Sequence, residues 1–157
     1  PSFSKAILFF LMFVGGSAGS TGGSIKVIRI VILFLLVKRE ITKLLHPRAL
    51  IPIQLNGRML PSDVIASVTG FFFLYVLLFA AGTILLSLEG IDFTSAASAS
   101  AASIGNIGPG LELVGPANTY SFFSNPSKWL MSLLMLFGRL ELFTIFILFT
   151  PQHWTRD

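Results

Sequence analysis

Ala101-Ala102-Ser103-Ile104-Gly105-Asn106-Ile107-Gly108-Pro109-Gly110 is the stretch on which the reading of this chain turns. It is a glycine-containing turn that follows a run of Ser and Ala, and it lies between two long apolar segments, Val64 to Leu88 and Trp129 to Thr150. A span, a short helix that dips in and stops, a loop of small residues and a second span together form the sequence pattern of a pore-lining hairpin.

The composition points to lipid as the solvent. Of the 157 residues, 54% are hydrophobic and 11% charged, where an ordinary soluble domain has about 25% charged. Mean hydropathy is +0.83. The length is therefore best counted in crossings of about 20 apolar residues each. Val64 to Leu88 is one crossing and carries no charge; Trp129 to Thr150 is a second, interrupted by Arg139 and Glu141. A third is broken in the middle, with Ala6 to Val14 and Ile25 to Val37 apolar and Gly15-Gly16-Ser17-Ala18-Gly19-Ser20-Thr21-Gly22-Gly23-Ser24 between them. The expected fold class is an all-α membrane protein: transmembrane helices, one of them discontinuous, with a re-entrant pore helix and filter loop. There is no cysteine, which excludes disulfides and thiolate metal sites. The chain opens on Pro1 with no cleavable signal ahead of its first apolar run, and it is expected to be the C-terminal piece of a longer protein.

Charge placement orients the spans. Lys26, Arg29, Lys38, Arg39, Lys43, Arg48 and Arg58 cluster in or beside the first connection, whereas Glu89 to Ser127 holds Glu89, Asp92 and Glu112 and no basic residue. The positive-inside rule then makes the first connection and the C-terminal tail cytoplasmic and turns the second connection outward. The net charge of +4 sits beside the membrane, where it meets anionic headgroups. Nucleic acid is not an expected partner. Trp129 and Trp154, at opposite ends of the last span, suit interfacial anchors.

The outward connection can be resolved further. Asp92 or Thr94 can cap a helix, and the Ser/Ala run is small enough to pack tightly among neighbours in a bilayer. A short helix over 93–102 is expected. Irregular backbone at membrane depth is tolerated only when buried in protein or lining water, so the loop over 103–109 should line a cavity. The helix would aim the negative end of its dipole there, which favours a cation. Carbonyl oxygens of Ser103, Ile104 and Gly105, with Asn106 beside them, can replace the water around a K⁺-sized ion. An ordinary extracellular connection is the plainer alternative.

The Gly-rich run admits three readings. A phosphate-binding loop needs Lys directly after its last Gly, and here Ser24 and Ile25 intervene before Lys26. A flexible linker belongs in water rather than between two apolar half-spans. An unwound intramembrane segment lining the conduction path below the filter fits best. Arg139 and Glu141 lie mid-span, where charge is costly and needs a protein or water partner; two residues apart, they cannot serve each other. Arg139 either makes a structural salt bridge or reaches the carbonyls of the Gly-rich loop. His46 and His153 have no ligand-like spacing, no metal site is expected beyond permeating K⁺, and no catalytic set recurs within one compartment.

At these residues the chain resembles the Trk/Ktr/HKT superfamily of potassium transporters, most closely its bacterial TrkH-type members. The resemblance is carried by Phe13 to Lys26, His46-Pro47-Arg48-Ala49, Ser103 to Gly110 and Phe137-Gly138-Arg139-Leu140-Glu141. It implies that four span, pore helix and span repeats surround one path. Residues 1–40 would be the closing helix of the third repeat, broken by the loop 15–24, and 41–61 a cytoplasmic connection. Residues 62–150 would be the fourth repeat (spans 64–88 and 129–150, pore helix 93–102, filter 103–109), with 151–157 a cytoplasmic tail. The first two repeats and most of the third would lie outside this chain. By the same resemblance Ser103, Ile104 and Gly105 form a filter segment, and Gly15, Gly16, Gly19, Ser20, Thr21, Gly22 and Gly23 form a movable gate held by Arg139. It further implies a multi-pass protein of the plasma (inner) membrane, a homodimer with a cytosolic nucleotide-binding regulatory subunit, and K⁺ as permeant ion with no bound cofactor.

The expected function is potassium uptake through a transmembrane pore. The rivals are a secondary transporter that binds its substrate at the broken helix, and a non-conducting structural subunit. None of the three is an enzyme.

Overall fold

The structure is a computed structural model and describes residues 2–14, 25–46, 52–55 and 57–139. Along them run α1 (Ser2–Leu11), α2 (Val27–Leu45), a hairpin of β1 (Gln54–Leu55) and β2 (Arg58–Met59), α3 (Ser62–Ser87), α4 (Phe93–Gly105) and α5 (Asn125–Arg139). Two 3₁₀ turns, Glu112–Val114 and Tyr120–Phe122, lie between α4 and α5.

α3 is the one helix among the described residues that is long and apolar enough to cross a membrane. It is apolar on every side, yet it buries a single stripe, Val68, Phe71, Tyr75, Gly82 and Leu86, at the spacing that places residues on one helical face. Phe72, Phe73, Val76, Leu77 and Ile84 are left exposed. An apolar helix with a bare apolar face suits lipid or further membrane helices. α5 likewise buries Ser127, Met131 and Leu134, and the next residue in that series is Gly138.

These two stripes close on α4, where every residue from Ser95 to Gly105 is buried. Small side chains make this possible, because Ala and Ser let neighbouring backbones approach closely. The clearest case is Gly82 on α3, where a Cβ would lie 2.5 Å from Ser100 Oγ and 2.8 Å from Leu134 Cδ1. Three helices meet at that point.

Several expectations change. The short helix does not stop at residue 102 but runs to Gly105, since nothing before Gly105 breaks a helix and the Ser/Ala run favours its continuation. α2 extends past residue 40 to Leu45, because the first helix breaker after the basic residues is Pro47. The fold is not purely α-helical either. Gln54 pairs with Met59 and Leu55 with Arg58; the intervening sequence is Asn56-Gly57, the pair favoured in two-residue hairpins, and Gly57 has φ +76°. α5 begins at Asn125, four residues before the expected Trp129, with Pro126 suited to a first helical turn. The second half of that span, with Glu141, and the tail 151–157 lie outside the described residues.

Candidate functional site

α4 is anchored at its N-terminal end by a side chain. Asp92 accepts a hydrogen bond from the Ser95 amide at 3.0 Å, as an N-cap should, and Thr94 lies within the helix. The Ser95 hydroxyl and amide hold the Asp92 carboxyl below its ordinary pKa. Glu89, just past α3, does a related service for α5: it accepts from the Ser124 amide at 3.1 Å and from the Ser124 hydroxyl. The Ser124 hydroxyl, followed by that of Ser127, lowers its pKa.

At its C-terminal end the helix closes with Asn106 in the left-handed conformation, φ 53° and ψ 39°. The Ile107 amide donates to Ala102 O at 3.0 Å and the Asn106 amide to Ser103 O at 3.1 Å. This pair of bonds is a Schellman closure, in which Asn is the common substitute for Gly. Asn106 also donates from Nδ2 to Met135 O on α5 at 2.9 Å. The Ser103 carbonyl, expected to be free of helical bonding, is thus already accepting one hydrogen bond, with its second lone pair still available. The Ser103 hydroxyl is fully buried and has no hydrogen-bond partner among the described residues.

Gly138 explains how α5 comes so close. A Cβ there would lie 2.8 Å from Ile104 C and 3.0 Å from Asn106 Nδ2, with Ile104 O nearer still. The Ile104 carbonyl is therefore packed against the α5 backbone. Arg139, the last residue of α5, is consequently held at the level where α4 ends. In the sequence Arg139 stands out by its mid-span charge and Gly138 only as part of the motif Phe137 to Glu141, although a Gly inside an apolar span is itself a sign of close approach.

Beyond Asn106 the chain doubles back along α4 and is held by hydroxyls. Ser98 Oγ accepts from the Leu111 amide at 3.0 Å, and Ser95 Oγ from the Leu113 amide at 3.3 Å. Ser100 Oγ donates to Phe79 O on α3 at 3.0 Å. Tyr120 Oη donates to Gly108 O at 2.7 Å. The serines thus do more than save space, since they satisfy backbone groups of the returning loop that would otherwise be buried unpaired.

The residues that flank the Gly-rich run meet beside this turn. Val14 and Ile25 form a parallel bridge, and the Ile25 amide donates to Phe13 O at 3.2 Å. Ile25 shares a buried cluster with Ile104, Phe71, Tyr75 and Leu134, and Phe13 and Phe137 pack against it. Phe13 and Ile25, on either side of the segment 15–24, are thus both held against Ile104's cluster. The expected gate residues Gly15, Gly16, Gly19, Ser20, Thr21, Gly22 and Gly23 themselves lie outside the described residues. Among the described residues, no group of three or more His, Asp and Glu could hold a metal ion.

A family model described as "TrkH: Cation transport protein" matches residues 1–156. This chain belongs to the TrkH family. Curated relatives named Trk system potassium uptake protein TrkH are 46% identical in Vibrio parahaemolyticus and 42% in Escherichia coli K12, each over 98% of this chain. The chain spans about a third of their length, 31% and 32%. A solved structure, the crystal structure of the potassium transporter TrkH from Vibrio parahaemolyticus, matches with a TM-score of 0.86 at 45% identity, covering 98% of this chain and 32% of that one. The mostly helical architecture is thus that of a membrane transport family, and the resemblance read from the four motifs is correct.

Proposed function

We propose that this chain supplies one wall of a potassium-conducting path, with selectivity at the inner end of α4 and gating by the Gly-rich segment together with Arg139. One observation carries the proposal: the buried C-terminal end of α4, the residues flanking the Gly-rich segment and the residue preceding Arg139 converge on Ile104. The negative end of a helix dipole at that point favours a cation. Of the expected filter groups, the carbonyls of Ser103 and Gly105 are proposed to face the ion, with Asn106 closing the turn, while the Ile104 carbonyl is turned against Gly138 of α5 and serves the packing instead. The Ser103 hydroxyl adds a further oxygen. The Gly-rich segment would lie in the path below them, and the Arg139 guanidinium would hold it closed by hydrogen bonds to its carbonyls.

A single α4 cannot enclose an ion, and open filter backbone would face lipid without partners. Further repeats of the same protein are therefore proposed to complete the pore, and the exposed apolar faces of α1 and α3 offer them surface. A plasma (inner) membrane location, a cytoplasmic C-terminus, a homodimer and a cytosolic nucleotide-binding regulatory subunit form part of the same proposal. Lys38, Arg39 and Lys43 on α2 provide the basic surface for such a subunit.

The test is cation flux in vesicles carrying the full-length protein, comparing K⁺, Rb⁺, Na⁺ and Li⁺. Gradient-driven K⁺ flux with discrimination against Na⁺ that weakens in Gly105→Ser is expected. Accumulation against the gradient coupled to protons or Na⁺ would favour a secondary transporter, and discrimination unchanged in Gly105→Ser would remove Gly105 from the filter.

A further inference from the structure

Asn106 carries a group that its turn does not require. The left-handed φ of 53° is a conformation that Gly adopts with less strain. The closing bonds, from the Asn106 amide to Ser103 O and from the Ile107 amide to Ala102 O, belong to the main chain. Gly at this position would make the same closure. What Asn adds is a side-chain amide, and its Nδ2 donates to Met135 O on α5 at 2.9 Å.

That carbonyl does not depend on Asn106 for a partner. Met135 lies within α5, and the helical pattern gives its oxygen to the amide four residues on, which is that of Arg139. A carbonyl has a second lone pair, and Asn106 uses it. The side-chain bond thus relieves no unpaired group; its consequence is to join the C-terminal end of α4 to the turn of α5 that ends in Arg139. Gly138 lets the amide reach, because a Cβ there would lie 3.0 Å from Asn106 Nδ2 as well as against the Ile104 carbonyl. Asn106 is exposed, so the bond competes with water and adds only modestly to stability. Its effect is local, on where the last turn of α5 sits against α4.

We infer that Asn106 is a positioning residue for the gate: by tying the closure of α4 to Met135 O, it holds Arg139 where Arg139 keeps the path shut. This rests on the transport reading and deepens it, since it names the contact through which the filter turn and the gate bear on each other. Without the bond, the last turn of α5 is free to shift relative to α4. Loss of one neutral hydrogen bond moves an equilibrium about fivefold. A sparsely populated displaced placement of Arg139, and the leak that follows from it, should rise by that factor.

The experiment is a double-mutant cycle read as gradient-driven K⁺ flux in vesicles holding the full-length protein without any cytosolic partner. Flux is expressed per folded molecule, with thermal midpoints of the purified variants measured alongside. Asn106→Gly keeps the left-handed turn and lacks the donor, and it is expected to raise this basal flux about fivefold. Asn106→Asp keeps the side-chain shape while its ionised carboxylate cannot donate, and it should raise basal flux as well. In an Arg139→Ala background, where the gate has already lost its latch, neither substitution should raise flux further. Basal flux unmoved in Asn106→Gly, a rise by the same factor in the Arg139→Ala background, or a change confined to discrimination between K⁺ and Na⁺ would overturn the inference while leaving the transport reading standing. Absence of K⁺ flux from every form, wild type included, would overturn the transport reading and this inference with it.

Discussion

Gly138→Ala tests the packing that brings the site together. The added Cβ would meet the Ile104 carbonyl and lie 3.0 Å from Asn106 Nδ2, and a carbonyl at the end of a buried helix cannot swing aside as a side chain can. Three contributions set the outcome. Replacing Gly by Ala inside a helix favours folding by about 1 kcal/mol. Overpacking against backbone opposes it by about 1–3 kcal/mol. If α5 moves out to relieve the clash, the 2.9 Å bond from Asn106 to Met135 O is also strained, at a cost of about 1 kcal/mol. The expected result is a net loss of about 2 kcal/mol, read as lower thermal stability of the purified full-length protein, together with weaker discrimination of K⁺ over Na⁺ in vesicles. Gly108→Ala is the companion variant. Its φ is +100° but nothing lies within 4 Å of an added Cβ, so only backbone strain of about 1–2 kcal/mol applies. Wild-type stability and wild-type discrimination in Gly138→Ala would show that α5 does not approach Ile104 as described.

Other substitutions probe the remaining parts. Asn106→Gly should keep the left-handed turn and lose only the bond to Met135 O, whereas Asn106→Val should lose both; a thermal-stability series that ranks Val at or above Gly would contradict the closure described. The Asp92 and Glu89 carboxyls are lowered in the folded state, so their contribution is present above their unfolded pKa values of about 4 and is lost as pH falls through the still lower folded values. Heat stability should therefore decline on acidification below about pH 4, and less steeply in Asp92→Asn, which can still cap; equal slopes would argue against the Asp92 cap as a source of the decline. Arg139→Ala should raise basal cation flux without regulator, and unchanged flux from a normally folded variant would remove Arg139 from the gate.

Much of the site could be read in the residues because its determinants are local. A charge-free run marks α3, and Asp92 followed by Ser and Ala marks a capped short helix, although its end lies at Gly105 and not at 102. The four motifs that carried the family resemblance are each contiguous, and their order along the chain was enough to indicate TrkH. The basic residues after Val37 do not end α2, because Lys and Arg are good helix formers, and Asn56-Gly57 is a turn signal inside a connection otherwise marked by its charge.

Partnership across elements could not be read this way. That Asn106 bonds Met135, that Ser95 and Ser98 hold the returning loop, that Gly138 lies on Ile104 and that Lys5 meets Glu112 all join residues far apart in the chain. Sequence pattern specifies which face of a helix seeks burial, but the atom it meets depends on how three helices settle around one another. Over Ser95–Ser103 of α4 that settling distance is governed by the small side chains of Ser and Ala, so neighbouring helices approach its backbone closely.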